Sequence, residues 1–179
     1  MKKKGAIKKQ LAIVNWKKRS IILVLILISI LFFVFLRTHQ VSGNSMLPTL
    51  NDGDKILVWK GRVPKRFTII TLEPMDNPQE SYVKRVIGMP GDKLDLKGNS
   101  LRISYLTNKV EEYEEINVTD GVAMILEGQN EIPMDKYFVL GDNRSHSNDS
   151  RSMGLINRTQ IEGVVGWRYY PFNRIGHIK

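Results

Sequence analysis

Three short stretches of this sequence hold a hydroxyl, a lysine and a set of carboxylates of the kinds used to break acyl bonds. The first is Gly43-Asn44-Ser45-Met46-Leu47-Pro48-Thr49-Leu50. A hydroxyl nucleophile needs an exposed oxygen on a rigid turn, backbone N–H groups for the oxyanion, and a base. Ser45 sits where Pro48 stiffens the turn and Gly43 lets the backbone approach a substrate. Taken alone, the segment reads equally well as an ordinary loop. The chain has no cysteine, which excludes disulfides, thiolate zinc sites, iron–sulfur clusters and a thiol nucleophile.

Lys84 is the second candidate. In Ser81–Ile87 a period of two puts Tyr82, Lys84 and Val86 on one face, and Val83, Arg85 and Ile87 on the other. Both faces are largely apolar, so at least one of the two cations must lie near a buried surface. There it needs a partner or must lose its proton. An ordinary lysine, with a pKa of about 10.4, is neutral roughly 0.04% of the time at pH 7. Making it a base near neutrality takes roughly 4–5 kcal/mol, which burial can supply. The plainer alternative is an edge strand with a solvated Lys-Arg pair.

The third stretch, Gly141–Arg151, holds eleven residues and not one aliphatic side chain, directly after an apolar strand. It could gather hydroxyls, two carboxylates and two guanidiniums around a lysine base, or it could be a solvated loop with salt bridges. His146 is a conceivable partner for a serine, but no carboxylate is placed to orient it. Three histidines (His39, His146, His177) lie far apart in the chain, so no metal site is expected.

The elements around these stretches read as short strands: Lys55–Trp59, Phe67–Leu72, Ser81–Ile87, Tyr137–Leu140 and Gly163–Tyr170. Turn signals separate them at Asn51–Asp54, Gly88–Asp92 and Gly141, and Glu73–Gln79 is a loop. Residues 38–50 read as polar and turn-rich. Residues of about 95–132 are polar, with turns at Gly98-Asn99 and Asp120-Gly121, and predict a small inserted region. Only Arg158–Ile161 hints at a helical turn. The predicted body is mainly β, with short strands and turn signals between them.

The run Ile21–Leu36 holds sixteen residues with Ser29 as its one polar side chain. As a helix it spans about 24 Å, slightly less than a hydrocarbon core of about 30 Å. Trp16 and the stems of Lys17, Lys18 and Arg19 extend it into the interface. Residues 1–37 carry nine basic residues and no acid. The remaining 18 basic residues are matched by all 18 acids, so the whole net charge of +9 sits on the arm. A nucleic-acid-binding protein would carry that excess on its folded part, so no nucleic-acid partner is expected. Eight of the nine charges precede the run, which predicts a cytoplasmic N-terminus. The expected organisation is a basic cytoplasmic arm over 1–19, a transmembrane anchor over 20–37 and an extracytoplasmic domain over 38–179. A buried core helix and a cleaved signal peptide, with Val41-Ser42-Gly43 as a weak site, are the rivals.

Taken together, the stretches resemble the type I signal peptidase family, the membrane-bound Ser/Lys endopeptidases. The residues that carry the resemblance are Ser45-Met46-x-Pro48-Thr49-Leu50, Gly53-Asp54-x-Ile56-x-Val58, Tyr82–Gly88 followed by x-Pro90-Gly91-Asp92, and Gly141-Asp142-Asn143-Arg144-x-x-Ser147-x-Asp149-Ser150-Arg151. They occur in the family's order behind an N-terminal anchor, covering residues of about 16 to 172. The resemblance implies a mainly β fold, a two-sheet β-rich catalytic core with a small inserted region, with Ser45 as acylating nucleophile and Lys84 as its general base. It also implies that Ser147 hydrogen-bonds and orients the Lys84 amine. Asp142 and Asp149 would pair with Arg85 and Arg151, Met46 would line the substrate pocket, and the Ser45 N–H would serve the oxyanion. Position 43 is glycine where some members place a hydroxyl donor, a mark of the simpler Gram-positive-like members.

No cofactor is implied. The implied substrates are preproteins with small residues at −1 and −3, met at the membrane surface. Whether the enzyme works alone or beside the protein export channel stays open. A self-cleaving Ser/Lys repressor, a mitochondrial inner-membrane peptidase and a membrane-anchored interaction module are the remaining readings. The anchor and the absence of a DNA-binding segment disfavour the first. The Lys-rich, Ser-poor arm is unlike a transit peptide.

Overall fold

The computed structural model describes residues 2–75 and 80–178, with side chains from residue 16 onward. The chain divides into two units, Met1–Leu36 and Arg37–Lys179. The first is helix α1, Lys2–Phe35. Within it Trp16–Phe35, with a mean hydropathy of 2.5 over its most apolar stretch, is long and apolar enough to cross a membrane. Its side chains from Ile21 to Phe35 are exposed.

The second unit is mainly β. Its strands are β1 (Leu36–Gln40, continuing from α1), β2 (Lys55–Lys60), β3 (Ile69–Leu72), β4 (Tyr82–Gly88), β5 (Lys93–Lys97), β6 (Ser100–Thr107) and β7 (Val110–Asn117), then β8 (Lys136–Leu140), β9 (Ile156–Asn157), β10 (Ile161–Tyr170) and β11 (Gly176–His177). The larger sheet runs β1-β2-β10-β3-β4-β8-β9, with β11 on β10; the smaller runs β5-β6-β7. Ten-residue β10, besides β11, pairs β3 through Ile161–Val164 and β2 through Gly163–Tyr170. Register shifts at Ile161/Gly163, Val165/Trp167 and Arg168/Tyr170 let the sheet curl along it.

Successive residues enter opposite cores, as the period of two requires. Ile69 and Val165 join Met46, Leu50, Ile56 and Val58 under the first sheet face. Ile70 and Val164 join Leu72, Val86, Val139 and Ile161 on the other. The small sheet packs through Leu94, Leu101, Ile103 and Ile116 against Ile87, Phe138 and Leu140. Each such side chain, when fully buried, contributes about 1.5–3 kcal/mol.

Several elements differ from the sequence reading. Phe67 and Thr68 fall outside β3, because Phe67 takes a left-handed φ of 64°. Residues 36–40, read in part as polar and turn-rich, form β1. The turn expected at Asp120-Gly121 instead opens helix α2, Asp120–Leu126. Thr119 caps it by accepting from the Val122 N–H, and Val122 and Leu126 reach the core one turn apart. Seven residues are too few for the periodicity to register in the sequence. Arg158–Gln160 is a 3₁₀ turn. The loop read over Glu73–Gln79 lies partly outside the described residues.

Candidate active site

Strand β4 lies between β3 and β8, not at an edge. Its partners Ile70 and Ile69 hold Lys84 and Arg85 in register on one side, and Leu140 pairs with Arg85 on the other. This central place leaves Lys84 only 4% exposed. Its Nζ lies 3.3 Å from the Ser45 Oγ and donates to the Val83 carbonyl at 3.1 Å. Burial lowers its pKa from 10.5 to about 8, against the pull of the Asp149 carboxylate, which raises it. The Tyr82 ring stands 5.0 Å from the amine.

Ser45 sits in the turn between β1 and β2. The loop after β8 holds that turn by its backbone: Asn143 N–H donates to the Ser45 carbonyl at 3.0 Å, and Asn143 Nδ2 donates to the Asn44 carbonyl at 3.1 Å. Gly43 N–H donates to Asp52 at 2.8 Å. Gly43 has a φ of 82°, which explains why the position is glycine: a hydroxyl-bearing residue there would be strained. Among the described residues the Ser45 N–H has no hydrogen-bond partner, which leaves it available to an incoming oxygen.

The two carboxylates are held by the two arginines. Asp142 accepts from Arg85 Nε at 2.7 Å and Nη2 at 2.6 Å, and from the Thr49 hydroxyl at 2.5 Å. Burial works to raise its pKa, but those bonds prevail and hold it below the usual carboxylate range. Asp149 is fully buried. It accepts from Arg151 Nε at 2.8 Å and Nη2 at 2.9 Å, and from Gly141 N–H at 3.0 Å. It too is kept low against burial, chiefly by the Arg151 bond. Asp149 also caps α3, Ser150–Met153. Next to it, the fully buried Ser150 hydroxyl accepts from the Val139 N–H at 2.9 Å.

Two expected contacts are absent. The Ser147 Oγ is buried and makes no hydrogen bond of proper geometry, so it does not hold the Lys84 amine. It lies near enough to Asp149 to help lower that carboxyl, while packing against Gly141. Met46 does not line the pocket: at 1% exposure it packs in the core beside Leu50 and Ile56. The residue after a nucleophile on a tight turn points away from it, and here that direction is inward. His146 is exposed, with its Nδ1 against the Ser145 hydroxyl at 2.8 Å.

Other contributors were not singled out from the sequence. Gly141 is the tightest: a Cβ there would stand 2.2 Å from the Ser147 Oγ and 2.5 Å from the Ser45 carbonyl oxygen. Thr49 links the nucleophile turn to Asp142 through its hydroxyl and accepts from Arg168 through its carbonyl at 3.1 Å. Both lie inside the motifs, but a glycine and a threonine carry no charge to draw attention. A cleft of about 400 Å³ opens over Ser45 and Lys84, lined also by the segments Gln40–Ser42 and Ser81–Val83. Among the described residues no group of acidic or histidine side chains is arranged to hold a metal ion.

A nucleophile-placed hydroxyl, a buried amine of lowered pKa and an open N–H suit acyl transfer to water. Comparison with known proteins points the same way. The family model described as "Signal peptidase, peptidase S26" matches residues 13–170. Signal peptidase I of Bacillus licheniformis is 36% identical over 181 residues, covering 93% of this chain and 94% of its own. Signal peptidase I U of Bacillus subtilis (strain 168) is 36% identical over 171 residues, 89% of each chain. Signal peptidase IB of Staphylococcus aureus (strain N315) is 35% identical over 156 residues, 78% of this chain and 80% of its own. A crystal structure of a signal peptidase I from Enterococcus faecalis V583 is 29% identical, covers 57% of this chain and 97% of its own, and gives a TM-score of 0.38.

Proposed function

The chain belongs to the signal peptidase family, peptidase S26, and on that premise we propose that it removes signal peptides with a Ser45/Lys84 dyad through an acyl-enzyme. The observation that carries this reading is the buried Lys84 amine, 3.3 Å from the Ser45 hydroxyl at the floor of an open cleft.

The chemistry follows from that placement. Neutral Lys84 takes the Ser45 proton as Oγ attacks the scissile carbonyl, and the Ser45 N–H donates to the oxyanion. The resulting ammonium protonates the leaving amine, the C–N bond breaks, and the signal peptide stays as an ester on Ser45. Lys84, neutral again, takes a proton from water; hydroxide attacks the ester and Ser45 is released protonated. With its pKa at about 8, roughly 9% of Lys84 is neutral at pH 7, about 200 times the fraction of an unperturbed lysine. Arg85–Asp142 and Arg151–Asp149 fix the strand and loop that hold the base and the nucleophile turn. No step calls for a cofactor.

The substrate on this reading is an extended preprotein segment with small residues at −1 and −3, lying in the cleft. The eight cations before the apolar stretch support a cytoplasmic N-terminus with the catalytic unit outside. Membrane lipid is therefore the standing partner, and the protein export channel a further one.

The test is cleavage of a synthetic preprotein peptide with an Ala-x-Ala site by the detergent-solubilised protein, beside Ser45→Ala and Lys84→Ala. Cleavage after the second Ala, lost in both variants, is expected. Log(kcat/KM) should rise with unit slope as pH increases and level off near pH 8. Activity surviving in either variant, or a flat profile between pH 6 and 8, sinks the dyad.

A further inference from the structure

The wall of the cleft contains a residue that the proposed chemistry does not use. His39 lines it from β1, on the side of Gln40–Ser42. The ring is not loose. Its Nε2 lies 2.7 Å from Glu162 Oε2 on β10. Glu162 also accepts from the fully buried Thr71 hydroxyl at 3.2 Å, and its other oxygen is 3.3 Å from Arg37 Nε. The His39 bond above all keeps the Glu162 carboxyl below its usual range despite burial. An ionised carboxylate at that distance fixes the tautomer and orientation of the ring. Among the described residues Nδ1 of His39 has no hydrogen-bond partner.

The spacing says which substrate residue meets it. His39 and Val41 are two apart on an extended segment, so their side chains fall on the same side, about 6.6 Å apart. Val41 belongs to the buried cluster against which Val83, the residue before Lys84, is packed, and both line the cleft. An extended peptide in the cleft also turns every second side chain the same way. With the −1 residue at Val41 and Val83 beside Ser45, the −3 residue comes to His39.

We propose that His39, oriented by Glu162, determines specificity at −3 and favours a small hydroxyl-bearing residue there over an apolar one of similar size. This rests on the peptidase reading of the same cleft. A −3 serine donates to Nδ1 when the cleft closes over the peptide. A −3 valine strips water from Nδ1 and returns nothing, and an unmade bond in a desolvated pocket is worth about tenfold in binding.

The experiment uses the full-length detergent-solubilised protein and peptides with Ala at −1 and Ser, Ala or Val at −3. The ratio of kcat/KM for Ser over Val is compared within each of wild type, His39→Phe, His39→Gln and Glu162→Gln, so that any loss of folded protein cancels. Affinities of the same peptides are measured by fluorescence anisotropy on Ser45→Ala versions. Wild type should prefer Ser by about tenfold. His39→Phe should abolish or reverse the preference, His39→Gln should keep it within threefold, and Glu162→Gln should fall between. A wild-type preference for Val, or equal ratios in wild type and His39→Phe, overturns the proposal. If Ser45→Ala still cleaves, the dyad falls, while the affinity ratios still decide the role of His39.

Discussion

Replacing Lys84 with methionine should make the protein more stable at neutral pH while removing its activity. Lys84 is 4% exposed, and burial brings its pKa from 10.5 to about 8. A difference of 2.5 units between unfolded and folded states corresponds to about 3.4 kcal/mol. The folded pKa is the lower one, so the unfolded chain binds the extra proton. Stability therefore rises with pH between about 8 and 10.5, and the full penalty is present below about 8. Methionine fills nearly the same volume without the charge. It gives up the bond to the Val83 carbonyl, worth about 1–1.5 kcal/mol. The net gain at pH 7 is then about 2 kcal/mol. Reversible urea unfolding of the detergent-solubilised protein, followed by tryptophan fluorescence at several pH values, measures it. The difference between variant and wild type should shrink by about 1.4 kcal/mol per pH unit from pH 8 upward. A variant no more stable than wild type at pH 7, or a difference that does not change with pH, would refute the claim that the amine is held at a desolvation cost.

Two more substitutions probe the loop after β8. Gly141→Ala puts a methyl 2.5 Å from the Ser45 carbonyl and 2.2 Å from the Ser147 hydroxyl. It should cost about 1–3 kcal/mol of stability and cut kcat by at least tenfold; an unchanged kcat in the peptide assay would show that the turn tolerates the shift. Ser147→Ala removes a buried hydroxyl that has no hydrogen bond of proper geometry. Its melting temperature should change little, because the hydroxyl has no bond of proper geometry but stands close enough to Asp149 to help keep that carboxyl ionised; a clear drop would mean that it is fully hydrogen-bonded.

Patterns local in the chain carried much of this protein. The apolar run before residue 37 and the cations ahead of it need no tertiary structure to be seen, because a membrane selects on length and composition. The strands around Lys55, Ser81, Tyr137 and Gly163 followed from alternation and turn residues. The mixed faces of Ser81–Ile87 required a cation near a buried surface, but two neighbouring cations were available. Sheet order chose between them: with β3 and β8 on either side, Lys84 is enclosed while Arg85 reaches Asp142. Periodicity could not reach further, because contacts such as Asn143 to Ser45 or Glu162 to His39 join residues about a hundred apart. Sheet order, with β10 between β2 and β3 and β4 between β3 and β8, brings such distant segments together. Residue types stated which chemistry was available; the register of the central strands decided which atoms were within reach of it.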